Sequence, residues 1–231
     1  MNNASNIRIN SLDQKTALRY LGYGNTEPDG AMQGLLDNAE KRLLAGMRPA
    51  YVFRVMELKD GELVGAPGLL SGKSIREHLE GCDRAVLLAA TLSSSVDTLL
   101  RQMSVTGMAE AMVADALASA AVEQVLDLAE EEIMKTLSTQ PSPTFERTFR
   151  FSPGYGDFPL EKQPEFLQIL DASRRIGLTV SPSLLLVPTK SVTCIFGVGR
   201  NLPKPRKKTC KDCTLGGNCS YRKAGYFCFS S

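Results

Sequence analysis

Residues 108 to 137 limit most strongly what this chain can fold into. The pattern from Met108 to about Leu137 is helical throughout, and its centre, Ala111-Met-Val-Ala-Asp-Ala-Leu-Ala-Ser-Ala-Ala-Val122, consists largely of small residues. A helix of that length spans roughly 45 Å at 1.5 Å per residue. Its small side chains allow another backbone or a ligand to approach closely. One polar stripe interrupts it: Asp115, Ser119 and Glu123 recur at i+4 and so share a face. That stripe either lines a site or meets solvent, and the residues alone leave both open. The acids that follow, Glu130 to Glu132, read as solvated surface.

The remaining elements do not alternate as βαβ units. Ile7 to Ile9 reads as a short strand, and Ser11 with Gln14 forms a capping-box pattern for a helix that ends at Gly22. A second helix is expected from about Pro28 to Leu44. Pro49 to Leu58 alternates as a strand, and Asp60-Gly61 turns it into a short partner near Glu62 to Val64. Ser74 to Leu79 is a short helix. Ala85 to Leu92 is an unbroken apolar run bounded by polar residues, the signature of a buried central strand. Val96 to Met103 opens the long helical region. After Pro141 and Pro143 come a strand at Phe145 to Phe151, a helix at about Leu160 to Ile176, and strands at Leu178 to Val187 and Ser191 to Val198. Long helices segregated between antiparallel strand pairs define an α+β protein, expected as a twisted antiparallel sheet flanked by helices.

Several classes of chemistry are excluded by what is missing. His78 is the sole histidine, so a multi-histidine metal centre and a His-Glu-x-x-His protease are ruled out. Any Ser-His-Asp triad would have to use His78, which sits in a short helix where a structural role is the expectation. No Gly-x4-Gly-Lys-Ser/Thr phosphate loop occurs, which argues against an ATP-driven machine. No apolar run approaches the roughly 20 residues that span a bilayer, and Met1 to Asn6 lacks the basic and apolar segments of a signal peptide. The expected location is cytoplasmic, with no membrane contact, and there cysteines serve as thiols or metal ligands rather than disulfides.

The best candidate for a binding site is the turn Arg150-Phe-Ser-Pro-Gly-Tyr-Gly-Asp-Phe-Pro159. It ends a strand, breaks at Pro153-Gly154, and sets a guanidinium, a hydroxyl, a phenol and a carboxylate (Arg150, Ser152, Tyr155 and Asp157) within eight residues. A charged fork beside irregular backbone suits a small zwitterion, because guanidinium grips carboxylate in two parallel hydrogen bonds. The alternative is a tight turn with a surface ion pair.

The chain has 231 residues, enough for one large domain plus a small appendage. The division is expected at 199/200. Between Arg200 and Lys223 stand eight Lys/Arg and one acid, Asp212. Cys210, Cys213, Cys219 and Cys228 then pack four thiols into nineteen residues, a set able to close a tetrahedron around zinc or hold an iron–sulfur cluster. Spacing alone does not choose between the two, although it is not the Cys-x3-Cys-x2-Cys of radical enzymes. Cys82 and Cys194, in apolar surroundings, are expected in the core.

Three segments in order resemble one family: the helix Asp115 to Glu123, the loop Arg150 to Tyr155, and Gly177 to Ser183 with Pro188 to Val192. They look like the activation (reactivation) domain of vitamin B12-dependent methionine synthase in its stand-alone form. The similarity runs from about Asn10 to Val198. It implies an S-adenosylmethionine site and a partner that presents cobalamin, either a methionine synthase or a corrinoid protein, with a flavodoxin or ferredoxin as electron donor. It implies further that Arg150 grips the ligand carboxylate and that Ser152, Pro153, Gly154 and Tyr155 supply backbone and aromatic contacts. An acid on the facing helix carries over to Ser119 or, one turn on, Glu123. Asp157, where the full-length enzymes have a different residue, would serve the ligand's amino group or sulfonium. The implied reaction is repair: reduction of oxidised cobalamin and its remethylation from the sulfonium methyl. It needs no side-chain nucleophile, in keeping with a sequence that offers no Ser-His or Cys-His pairing.

Two other readings compete. One is a nucleic-acid or protein-binding module acting through the basic, cysteine-rich tail, although Tyr221, Tyr226 and Phe227 are few for a stacking surface. The other gives the tail an iron–sulfur cluster that delivers the reducing electron.

Overall fold

The computed structural model describes residues 2–23, 26–138, 145–200 and 202. The four-cysteine tail lies outside the described residues. In chain order the elements are β1 (Asn2–Asn6), α1 (Gln14–Tyr20), α2 (Gly30–Gly46), β2 (Ala50–Lys59), β3 (Glu62–Leu63), α3 (Lys73–His78), β4 (Arg84–Thr91), α4 (Ser94–Thr106) and α5 (Met108–Ser138). There follow β5 (Glu146–Arg147), a 3-10 turn (Leu160–Lys162), α6 (Gln163–Leu170), α7 (Ala172–Ile176), β6 (Thr179–Val180), β7 (Leu186–Val187) and β8 (Ser191–Gly199). The main sheet is antiparallel in the order β1-β2-β4-β8-β5, with β3 added to β2, and β6 pairs with β7 in a separate small hairpin.

The unbroken apolar run of β4 follows from its place between β2 and β8, with helices covering both faces of the sheet. Because side chains alternate along a strand, Val86, Leu88 and Ala90 point into a core shared with α1, α2, α4 and α5. Ala85, Leu87 and Ala89 point the other way, into a second core shared with α3, α6 and α7. β2 divides in the same manner, Tyr51 and Phe53 to the first core, Val52 and Met56 to the second. α5 contributes the largest share of the first core, from Val113 to Leu137. Its alanines at 114, 116, 118, 120 and 121 are all buried, and their small volume lets the helix lie close to its neighbours.

Local chemistry sets several element ends. Asp60 and Gly61 both take positive φ (52° and 76°), the geometry a two-residue hairpin needs. Asp13, rather than Ser11, caps α1, its carboxylate accepting from the Thr16 amide at 3.0 Å. Asp29 caps α2 through the Met32 amide at 2.8 Å.

Four expectations are corrected. The first strand is Asn2–Asn6, not Ile7 to Ile9; both isoleucines pack instead against the first core. The strand expected over Phe145 to Phe151 keeps ladder pairing only at Glu146–Arg147 and a single bridge from Phe151 to Ile195. Thr148 interrupts it, because its hydroxyl accepts the Gly197 amide at 2.9 Å. The helix expected from Leu160 to Ile176 breaks at Asp171, whose φ of 53° is left-handed; Asp visits that region more readily than most residues. The long strand expected over Leu178 to Val187 is a hairpin of two-residue strands, with Leu184 at φ 64°. Among the described residues no helix is long and apolar enough to cross a membrane.

Candidate functional site

The polar stripe of α5 faces the chain segments that run beside β8, and a ladder of charges joins them. At its upper end Lys190, just before β8, donates to Asp115 Oδ1 at 2.8 Å and to Ser119 Oγ at 2.9 Å. One turn further, Arg150 reaches Glu123 through Nη2 (3.1 Å) and Asp127 and Glu130 through Nη1 (2.7 and 3.2 Å). Arg147 of β5 closes the ladder on the other oxygen of Glu130 at 2.5 Å. Four carboxylates thus meet three cations, leaving one negative charge along the stripe.

Burial sets the protonation balance. Glu130 is only 3% exposed, and removal from water pushes its carboxyl above the ordinary range, with Arg147 and then Arg150 pulling it back. Glu123 is raised for the same reason and restrained by Arg150. Burial works against the charge on Arg150, but the hydrogen bond and charge of Asp127, with Glu130 behind them, outweigh it and hold the guanidinium above its usual value.

Arg150 stands at the mouth of the loop because Phe151 is fixed to β8 in both directions, its amide donating to Ile195 O at 2.8 Å and its carbonyl accepting from Ile195 N at 2.7 Å. Beyond it the chain folds into a compact turn: Tyr155 N donates to Ser152 O, Phe158 N to Tyr155 O, and Gly154 N to Phe158 O. Gly154 takes φ 93° and Gly156 φ 55°, conformations that favour glycine. Pro153 and Phe158 are buried, and the Tyr155 ring lies edge-on to Phe151 at 5.9 Å. His78 packs on Phe149 and Phe151 and places Nε2 within 2.8 Å of Phe149 O. It buttresses the segment entering the loop, the structural role expected of it.

Of the eight sequence-selected binding residues, the structure joins Arg150 directly to Glu123. Ser119 is engaged by Lys190 and donates to Asp115 O at 3.0 Å. Asp157 faces away from the stripe: its two oxygens accept the amides of Lys73 (2.7 Å) and Ser74 (2.8 Å), capping α3 and lowering the carboxyl's pKa. Ser152, Pro153, Gly154 and Tyr155 form the turn, with Tyr155 54% exposed. Glu130, taken from sequence as solvated, is instead the buried centre of the network. Sequence reasoning also missed Asp127, Arg147 and Lys190. The signal for the acids was available, because 127 and 130 extend the 115, 119, 123 spacing along the same face.

Next to the ladder an open cavity of about 660 Å³ lies between α1, α4 and α5, lined by Tyr20, Leu21, Leu100, Met112, Asp115 and Ser119 among others. It exists where α5 carries Ala111, Ala116 and Ser119 rather than large side chains. Partial burial, and after it the carboxylate of Glu123, raise the pKa of Tyr20. Among the described residues no group of three or more His, Cys, Asp or Glu is placed to hold a metal ion. Cys194 is buried and Cys82 half-buried, its thiol pushed up to about 11 by burial.

Fold and site together define an α+β protein whose antiparallel sheet is covered on both faces, with one long acidic-striped helix set against a loop-borne arginine. No protein-family model matches the chain, and no curated protein matches its sequence. Among solved structures it is similar to the MetH reactivation domain bound to AdoHcy, with a TM-score of 0.62 over 98% of this chain and 86% of that one, at 12% sequence identity. The two share a fold.

Proposed function

We propose that this chain binds S-adenosylmethionine at the Arg150–Glu123 ion pair and presents its methyl group for the reductive remethylation of cobalamin on a partner, a methionine synthase or corrinoid protein. The observation that carries the reading is that ion pair, at 3.1 Å and partly exposed, with Glu123 one helical turn along α5 from Ser119, which lines the cavity. An α-amino acid carries both charges needed to enter such a pair, its carboxylate taking the guanidinium fork and its ammonium taking Glu123. The net negative stripe favours a ligand with the extra positive charge of a sulfonium. The cavity volume of about 660 Å³ falls within the roughly 300–1,000 Å³ of small-molecule sites. The exposed Tyr155 and Tyr20 rings offer faces to a nucleoside. Asp157 has no part in this ligand set, because its oxygens are committed to α3. The shared fold with an AdoHcy-bound domain supports the same reading.

The work of the chain is positional. Arg150 and Glu123 fix the amino-acid end, and the rigid turn holds the sulfonium methyl where the partner can approach in line, so that orientation supplies the rate. Bound by the partner, reduced cobalamin supplies the nucleophile. The cysteines of the tail, Cys210, Cys213, Cys219 and Cys228, would ligate zinc or an iron–sulfur cluster, and metal analysis of anaerobically purified protein distinguishes these.

Calorimetric titration with S-adenosylmethionine tests the site. The expected outcome is one molecule bound per chain, weaker by at least about tenfold in Arg150→Lys and Glu123→Gln, with S-adenosylhomocysteine weaker than S-adenosylmethionine. No binding by the native chain, or binding indifferent to both substitutions, would refute it.

A further inference from the structure

Among the described residues Glu130 is the one charged residue that is buried, and the proposed ligand contacts do not use it. Its two oxygens are divided between two arginines. Oε1 accepts from Arg147 Nη1 at 2.5 Å, and Oε2 from Arg150 Nη1 at 3.2 Å. Buried so deeply, the carboxylate has no water to turn to, and with one oxygen on each guanidinium it is pinned from both ends.

Two arginines three residues apart reach one carboxylate because the strand breaks between them. In a regular strand residues 147 and 150 would point to opposite faces. Thr148 interrupts the alternation by bonding Gly197 twice, its amide donating to Gly197 O at 3.0 Å and its hydroxyl accepting the Gly197 amide at 2.9 Å. Regular pairing returns at Phe151, against Ile195. Arg147 is thus fixed to β8 before the break and Arg150 beside it after the break, and both guanidiniums meet α5 at Glu130.

The three carboxylates on Arg150 differ in their freedom to leave it. The side chains of Asp127 and Glu123 are partly exposed and can swing into water, whereas that of Glu130 cannot. We propose that Glu130 is a positioning residue for the ligand site: pinned by Arg147, it holds the Arg150 guanidinium from the buried side while Asp127 and Glu123 give way to the ligand. This rests on the S-adenosylmethionine reading and adds to it that the guanidinium fork is aimed before the ligand's carboxylate arrives, so less ordering is left to binding.

Calorimetric titration of the full chain with S-adenosylmethionine and with its decarboxylated analogue, which keeps the amine, sulfonium and nucleoside, tests this. The native chain is expected to prefer S-adenosylmethionine by at least about tenfold, from the charge-assisted contact to its carboxylate. Two variants lose the divided grip: Glu130→Gln has a single acceptor oxygen, and Glu130→Asp is a methylene too short to span both arginines. In each the preference is expected to fall to about twofold or less. Glu130→Gln also removes a negative charge, which weakens the doubly positive analogue more than S-adenosylmethionine. Charge alone would therefore raise the preference, and a fall reports the aim of Arg150. A native-sized preference kept by either variant, folded by circular dichroism, overturns the positioning role and leaves the Arg150 reading intact, whether the two ligands bind as before or weaken in step. A native chain that shows no preference, or binds neither ligand, refutes that reading and the positioning role with it.

Discussion

Removing the guanidinium of Arg150 should destabilise the protein in a manner that depends on pH. The Arg150 side chain is 24% exposed and meets three carboxylates whose side chains differ in burial: Asp127 (63% exposed), Glu123 (42%) and Glu130 (5%). The two exposed pairs contribute roughly 0.2–1 kcal/mol each. The third is larger, because Glu130 cannot turn to water and would keep only Arg147; about 1–2 kcal/mol follows from leaving a buried charged group short of a partner. Arg150→Ala should therefore lose about 2–3 kcal/mol near neutral pH. For a chain of this size that lowers Tm by roughly 4–12 °C. The sign of the pH effect follows from Glu130 and Glu123, both raised above 4.5 by burial and held down by arginine. A carboxyl with a raised folded pKa contributes stability that is fully present below its unfolded value and is lost as pH rises through the folded one. Without Arg150 both values rise further and more stability is lost. The gap between variant and native chain should thus be small at pH 4, below 4.5, and widen to its full size by pH 7. Thermal melts by circular dichroism at the two pH values read it. A gap equal at both, or a variant as stable as the native chain at pH 7, would show that Arg150 does not hold the buried carboxylates ionised.

Gly72 takes φ 111°, and a Cβ there would lie 2.5 Å from the backbone oxygen of Asp157, so Gly72→Ala should cost at least about 1–3 kcal/mol; chemical denaturation measures this. Phe158, 1% exposed beneath the turn, should cost about 3–5 kcal/mol when truncated to Ala, and the same melts should show a larger drop than for Arg150→Ala. Asp157→Asn should be less stable than the native chain at pH 7. Because the amides of Ser74 and Lys73 hold this carboxyl below 3.8, its contribution is present above that value and lost as pH falls through the lower folded pKa. Melts from pH 7 to pH 2 should show the difference vanishing.

The parts of the fold legible in sequence were those in which one stretch carries its own evidence. β4 announced itself by a short run with no polar face, bounded by polar residues, as a strand covered on both sides requires. The Asp60-Gly61 hairpin and the length of α5 were likewise local matters. Asp171 was not legible: its left-handed φ is one that many other aspartates never adopt, and the apolar spacing ran straight through it. At the site, Arg150 and Glu123 were both singled out, but the number of its carboxylate partners was not. Whether residue 130 meets solvent depends on Arg147, seventeen residues away in sequence, being carried onto α5 by pairing with β8. Asp157 was misjudged for the same reason, since the amides it caps lie more than eighty residues earlier, in α3.

The central claim is that the Arg150–Glu123 pair receives the amino-acid end of S-adenosylmethionine. A crystal structure of the complex tests this most directly. The expected density places the ligand carboxylate within hydrogen-bond distance of the Arg150 guanidinium, the ammonium at Glu123, and the nucleoside along the cavity beside Tyr20. Ligand density elsewhere on the molecule, with the Arg150 network of three carboxylates unchanged, would contradict it.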